Sequence, residues 1–281
     1  MSKINKTIKL FIAGEFPRTE SGRSWPVYFY KTKKIFAQLC KASRKDLRNS
    51  VTAAQGVQAT WAARSAYNRS QILYRMAEMT EGKREEFKQI LEKTIGMTKV
   101  ASEKAVDEAI QAFIYYAGFA DKYQQILGAV NPVNGPHHNF TTLEPIGVIG
   151  LFCNTKFNLG KLVAHIAAPI SIGNSVVAIL AQEGAAILAP LAEVFATSDL
   201  PKGVVNLLTG ELDELLKPMA SHMEVQAISC QTQEVHILGE VRTLAAGNIK
   251  RVIPPTGNEV LSLEVLRGHL EVKTVWHPIG V

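Results

Sequence analysis

Residues 140–161 read FTTLEPIGVIGLFCNTKFNLGK. The opening residues alternate apolar and polar side chains, as a half-buried strand does. From about Ile146 the alternation gives way to a continuous apolar run, the pattern of a strand covered on both faces. That run stops at Cys153, passes through amides and a lysine, and gives way to a helix-length segment at 159–171. Working outward, short apolar strands recur as SVVAIL (175–180), VVNLL (204–208), VQAIS (225–229) and KRVIP (250–254), with helix-length segments at 183–198, 211–222 and 233–245 between them. Strand and helix in alternation, with fully apolar strands, predict an α/β fold built on a Rossmann-like, doubly wound parallel sheet. Such a sheet places its chemistry at the carboxyl ends of its strands, where Cys153 stands close to Lys156.

The flanks follow other periods. The first 42 residues carry short β-type runs, KLFIAGEF, WPVYFY and IFAQLC, separated by turn signals, and predict a small antiparallel arm. From Ser43 the period becomes helical. Ser43 and Asp46 form an S-x-x-D start, and Leu47, Val51, Ala54 and Trp61 share one face. A second helix is predicted from Tyr67 to Thr94 and a third from Ser102 to Leu127, the latter with Val106, Ile110, Phe113 and Ile114 inward; GAVNPVNGP (128–136) then supplies turn chemistry. The closing stretch EVLRGHLEVKTVWHP (264–278) reads as one long alternating strand at a sheet edge. The chain thus divides into a β arm (1–42), a helical part (43–128), a hairpin (129–146), the parallel sheet (147–254) and a closing segment (255–281).

Bulk properties exclude several classes. The chain has 281 residues, 47% of them hydrophobic, enough for a sizeable core. Its most apolar window, 162–181, is broken by His165, Pro169, Gly173 and Asn174, so no membrane span is expected. Cys40, Cys153 and Cys230 form neither a disulfide framework nor a metal pair, and with no secretory signature at the start the chain is expected in the cytoplasm. The net charge of +6 resides in residues 1–34, where eight basic residues face two acidic ones; the folded body carries no basic stripe, and no nucleic-acid partner is expected. His137 and His138 fall in a Gly/Pro turn and read as solvated, and no metal site is expected.

Several of these stretches carry a family likeness. LEPIGVIGLF, GNSVVAIL, DLPKGVVNLLTG and NIKRV resemble, in order and spacing, the nucleotide-binding half of the aldehyde dehydrogenases. LFIAGEFPRTESGRSWPV resembles that family's amino-terminal arm and LEVKTVW its carboxy-terminal strand; within the family the chain resembles the shortened, degenerate second repeat of family 16 members, standing alone. The resemblance implies that the hairpin and the closing strand, near Thr141 to Ile146 and Leu270 to Trp276, are antiparallel oligomerisation arms. It also implies that a whole catalytic domain is replaced by the short stretch between NIKRV and LEVKTVW.

What the resemblance implies for chemistry can be followed residue by residue. The family's nucleophilic cysteine belongs to the replaced domain, and no cysteine follows Cys230. Where the family has P-W-N-F-P this chain has Asn154 to Asn158, so Lys156 takes the place of the oxyanion-binding amide. Cys153 beside Lys156 is the only alternative nucleophile at that strand end, yet it continues the apolar phase of Leu151 and reads as a buried thiol. The ribose-binding K-P-S-E aligns with Ile179 to Gln182, with Glu183 one residue on. The phosphate-binding G-S-T-x-x-G aligns with Gln231 to His236, lacking both glycines and carrying Glu234, and the base of E-L-G-G aligns with Pro255.

These positions assign no catalytic residue, leave Gln182, Glu183, Gln231 and Thr232 as the only nucleotide-holding candidates, and predict no NAD or NADP requirement. The function expected is that of a non-catalytic subunit oligomerising with itself or with a full-length aldehyde dehydrogenase. An NAD(P)-dependent oxidoreductase with a relocated Cys153/Lys156 site, or a nucleotide or acyl sensor, is the alternative.

Overall fold

The computed structural model describes residues 6–153, 157–180, 183–232, 234–255, 257 and 260–280. The arm holds β1 (Thr7–Ile8), β2 (Ser24–Tyr28) and β3 (Ile35–Cys40), in the order β1-β3-β2. β2 is antiparallel to β3, but β1 is parallel to it. KLFIAGEF is not a strand of this arm: Phe11 exchanges backbone hydrogen bonds of 2.9 and 2.8 Å with Leu207 of the main sheet.

The helical part starts where its signal lies. Ser43 Oγ accepts from the Asp46 amide at 3.2 Å while Asp46 Oδ2 accepts from the Ser43 amide at 2.8 Å, a reciprocal cap that opens α1 (Arg44–Ala62). The helix expected from Tyr67 to Thr94 is instead divided into α2 (Ala66–Gly82), α3 (Arg84–Ile90) and a π-helical turn at Leu91–Ile95. Lys83 leaves helical geometry after Gly82, at φ −103° and ψ 10°, and Gly96 ends the turn at φ +83°, a conformation that favours glycine. The third helix likewise separates into α4 (Lys99–Phe119) and α5 (Tyr123–Leu127), with a turn at 120–122 between them. Of its predicted inward face, Val106 and Phe113 are fully buried but Ile114 is exposed.

The rest runs β4 (Ala129–Asn131), β5 (His137–Pro145), β6 (Val148–Cys153), α6 (Leu159–Ser171), β7 (Ser175–Leu180), α7 (Leu188–Ala196), β8 (Val205–Thr209), α8 (Leu212–Ser221), β9 (Ala227–Gln231), α9 (Val235–Ala246), β10 (Arg251–Ile253), α10 (Leu263–Arg267) and β11 (Leu270–Pro278). The main sheet is parallel, ordered β10-β9-β6-β7-β8, which is the predicted doubly wound α/β fold. Successive residues point to opposite faces. Ile149, Leu151, Val176 and Ala178 pack with α2, α4, α6 and α7, whereas Val148, Phe152, Val177 and Ile179 pack with α1, α8 and α9. A separate antiparallel sheet has the order β11-β5-β4, and β11 pairs with β5 along its whole length, from Leu270 opposite Pro145 to Pro278 opposite His137.

Two expectations are corrected here. The closing stretch is not one strand, because Ser262 Oγ accepts from the Glu264 amide at 3.2 Å and starts α10, which buries Val265 and Leu266 in the core. His137 and His138 are not in a turn but begin β5, the turn being confined to the residues before them.

The amino ends of the parallel strands meet at a polar hub. The last carbonyls of α6 are buried and have no partner within the helix. The following turn supplies part of it, the Gly173 amide donating to Ile170 O at 3.2 Å and the Asn174 amide to Pro169 O at 3.0 Å, and side chains from elsewhere add to it: Trp61 Nε1 donates to Ile170 O at 3.0 Å, Arg69 Nε to Ser171 O at 2.9 Å, and Asn174 Nδ2 to Pro169 O at 3.2 Å. Asn174 also donates to His269 O at 3.0 Å and accepts from the Gly147 amide at 2.9 Å, so one buried amide joins the start of β6, the end of α6 and the residue before β11. Asn174→Ala would leave the Gly147 amide and the His269 carbonyl buried without that partner, while Pro169 O keeps the backbone amide of residue 174, and a loss of about 3 kcal/mol of unfolding free energy is expected in urea titrations.

Candidate functional site

β6, β7 and β8 progress outward in one direction, and β9 then returns to the other flank of β6. α6 and α9 leave on opposite faces of the sheet, so the crevice of this fold opens between the carboxyl ends of β6 and β9. Cys153 and Gln231 are direct register partners at that point, with Thr232 following. Two of the sequence candidates are therefore side by side. Lys156 and Gln182 lie outside the described residues, as does the side chain of Cys153.

Gln231 and Thr232 are both buried. Gln231 Nε2 donates to Ser229 Oγ at 3.2 Å, and Thr232 Oγ1 accepts from the Glu234 amide at 3.1 Å, so a hydroxyl of the chain itself takes a donor just ahead of α9. Glu234 is the residue immediately before α9 and its exposed carboxylate lies 3.5 Å from His236 Nε2. A helix amino terminus favours anions because its amides point outward; Glu234 precedes α9 without capping it through its side chain, and adds a negative charge beside that terminus.

Glu183 follows the carboxyl end of β7. It is exposed and lines two open cavities of about 420 and 320 Å³, the first walled by α4, Phe157 and the start of α6, the second by the β2–β3 arm with Tyr30 and Lys33. Neither cavity is lined by Gln231 or Thr232. The first cavity contains Lys104 and Glu108 but no histidine or cysteine among its described walls.

The thiols are equally informative. Cys40 and Cys230 are buried and unbridged, and burial pushes the Cys230 thiol up to about 11. Nucleophilic attack needs the thiolate, which Cys230 does not supply near neutral pH. In a Cys153→Ala variant, the two remaining thiols are expected to react slowly with a disulfide reagent at pH 8 and at once in denaturant; fast reaction of either in the folded chain would contradict their placement.

Sequence reasoning missed a buried histidine pair. His165 on α6 and His269 before β11 are almost fully buried, with ring centroids 6.4 Å apart. His269 Nδ1 donates to Val265 O at 2.6 Å, which fixes the neutral tautomer with its proton on Nδ1. Burial, with a smaller contribution from Arg251, lowers His269 to about 4 against the hydrogen bond to Val265. Burial, then His269 and Lys161, hold His165 well below the usual imidazole range. The residues are more than 100 positions apart, so no spacing signal linked them.

The sign follows from these shifts: between pH 6.5 and about 4 the unfolded chain binds protons that the folded chain refuses, and stability falls as pH falls. His269 alone is expected to account for about 3 kcal/mol of stability that is complete above pH 6.5 and lost on descending towards pH 4. Urea unfolding at stepped pH checks this, and His269→Gln is expected to flatten the dependence.

Comparison with known proteins gives the same architecture. Residues 17–258 match the family described as the aldehyde dehydrogenase family. The chain belongs to that family. It is 28% identical over 256 residues to the mitochondrial benzaldehyde dehydrogenase of Antirrhinum majus, covering 89% of this chain and 47% of that protein. It is 31% identical over 254 residues to the human cytosolic 10-formyltetrahydrofolate dehydrogenase, covering 87% of this chain and 28% of that protein. Among solved structures, the NAD+ complex of an aldehyde dehydrogenase from Bacillus cereus superposes with a TM-score of 0.83 at 26% identity, over 89% of this chain and 50% of that one. The chain thus spans half or less of the length of these relatives. No helix among the described residues is long and apolar enough to cross a membrane.

Proposed function

We propose that this chain is a non-catalytic member of the aldehyde dehydrogenase family that docks, through the β11-β5-β4 sheet, onto a second subunit, either a full-length aldehyde dehydrogenase or another copy of itself. The observation that carries this reading is the outer edge of β11. Among the described residues β11 pairs with β5 alone, so the opposite side of a nine-residue strand presents a row of backbone donors and acceptors. Its exposed side chains include Val272, Val275 and Trp276, followed by Ile279, an apolar set larger than its charged pair Glu271 and Lys273, with proline only at its last position, Pro278. Such an edge suits addition of a strand from a partner, with main-chain bonds giving affinity and the alternating side chains giving selectivity.

Three features at the strand ends support catalytic silence. Glu234 sets a negative charge immediately before α9, where a phosphate would need the helix amides. Burial keeps Cys230 protonated. The connection from β10 to β11 spans only residues 254–269 and is held on the core by α10 rather than opening into a further domain. NAD or NADP binding is accordingly not part of the proposed role.

Co-expression with a full-length aldehyde dehydrogenase, followed by native mass spectrometry at micromolar concentration, tests the docking. A joint or self-paired mass is expected, and Trp276→Lys with Val272→Glu is expected to weaken assembly at least tenfold while leaving the circular dichroism spectrum unchanged. Separate monomer masses for both chains would refute the proposal.

A further inference from the structure

The far end of the β5–β11 ribbon places two imidazoles opposite each other. His138 and His277 are register partners on antiparallel strands, so their side chains leave the same face of the sheet. Directly opposed residues have Cβ atoms about 4.5–5.5 Å apart. Both side chains are exposed, and beneath them on the same face lies the next same-side pair, Phe140 opposite Val275. The His138 ring rests on Phe140, 5.3 Å between centroids, which places it over an apolar floor while its nitrogens remain accessible.

We infer that His138 and His277 form a two-imidazole site for a divalent transition-metal ion of the copper, nickel or zinc type. Two nitrogens each about 2.0–2.1 Å from one tetrahedral ion lie roughly 3.3 Å apart, a separation that imidazoles on opposed strand positions reach by side-chain rotation alone. Neutral imidazole suits these ions, whereas calcium and magnesium require oxygen ligands, and the Irving–Williams order places copper(II) first. Water completes the coordination, since the pair faces solvent.

His137 supplies the internal control. It adjoins His138 but leaves the opposite face, opposite Pro278 and edge-on to Trp276 at 5.8 Å between centroids, so it cannot share the ion. The consequence for the ribbon is mechanical. An ion bridging β5 to β11 closes its free end, at the tip of the strand whose edge is proposed to dock. Binding itself needs only one chain and does not depend on that docking.

Calorimetric titration of the full chain with copper(II) chloride and with zinc chloride, in a buffer that does not chelate, provides the test. One ion per chain is expected, copper(II) tighter than zinc, with magnesium silent. His138→Gln and His277→Gln should each weaken binding at least tenfold, and His137→Gln should leave it unchanged. The copper(II) complex should show paramagnetic-resonance coupling to two equivalent imidazole nitrogens. Absence of saturable binding, equal loss in His137→Gln, or retention of the full affinity in either of the other variants would overturn the inference.

Discussion

The structure depends on a buried amide. Asn174 sits fully inside the protein and satisfies an amide of Gly147 and carbonyls of Pro169 and His269. Each of those backbone groups is buried and requires a partner; the side chain serves the Gly147 amide and the His269 carbonyl, and shares Pro169 O with its own backbone amide. The geometry fixes where β6 begins, where α6 ends and where β11 starts. Trp61 and Arg69 complete the same cap, and the neutral pair His165 and His269 fills the space beside it. Other contacts fasten the remainder of the connection: Tyr116 Oη donates to Val260 O at 2.9 Å, and Arg251 donates to Leu270 O at 2.6 Å while pairing with Glu271.

This constraint links the two ends of the account. Because α10 is held on the core through Val265 and Leu266, the chain enters β11 beside the parallel sheet. β11 can then lie along β5 for its full length and present its other edge outward. At the opposite end of the sheet, Gln231 closes β9 beside Cys153 of β6 and Thr232 follows it, with Glu234 just before α9. In the proposed reading, the elements that build a platform serve docking, and the strand ends carry no dinucleotide.

Much of this was legible in the sequence for local reasons. The helix at 159–171 emerges with those bounds because Asn158 caps it, accepting from the Lys161 amide at 2.8 Å, and its apolar face is unbroken. SVVAIL gives a strand of the same six residues because every one of them is buried. Other features were hidden because their causes are nonlocal. The signal for α10 is a single capping serine, and its helical turn is held by burial of Val265 and Leu266 against α6 rather than by periodicity. His137 and His138 follow Gly135 and Pro136 and so carried turn chemistry, yet pairing with Pro278 and His277 makes them a strand. His165 and His269 meet only in the folded core, and Glu183 reads as a neighbour of the strand-end site although its side chain lines cavities beside α4 and the amino-terminal arm.

The central claim is that the β6–β9 crevice has lost the capacity to hold a dinucleotide and turn over an aldehyde. Titration of the isolated chain with NAD+, monitored by calorimetry and followed by absorbance in the presence of an aldehyde, tests it most directly. The account predicts no saturable heat and no nucleotide reduction. Stoichiometric NAD+ binding accompanied by steady reduction would contradict it.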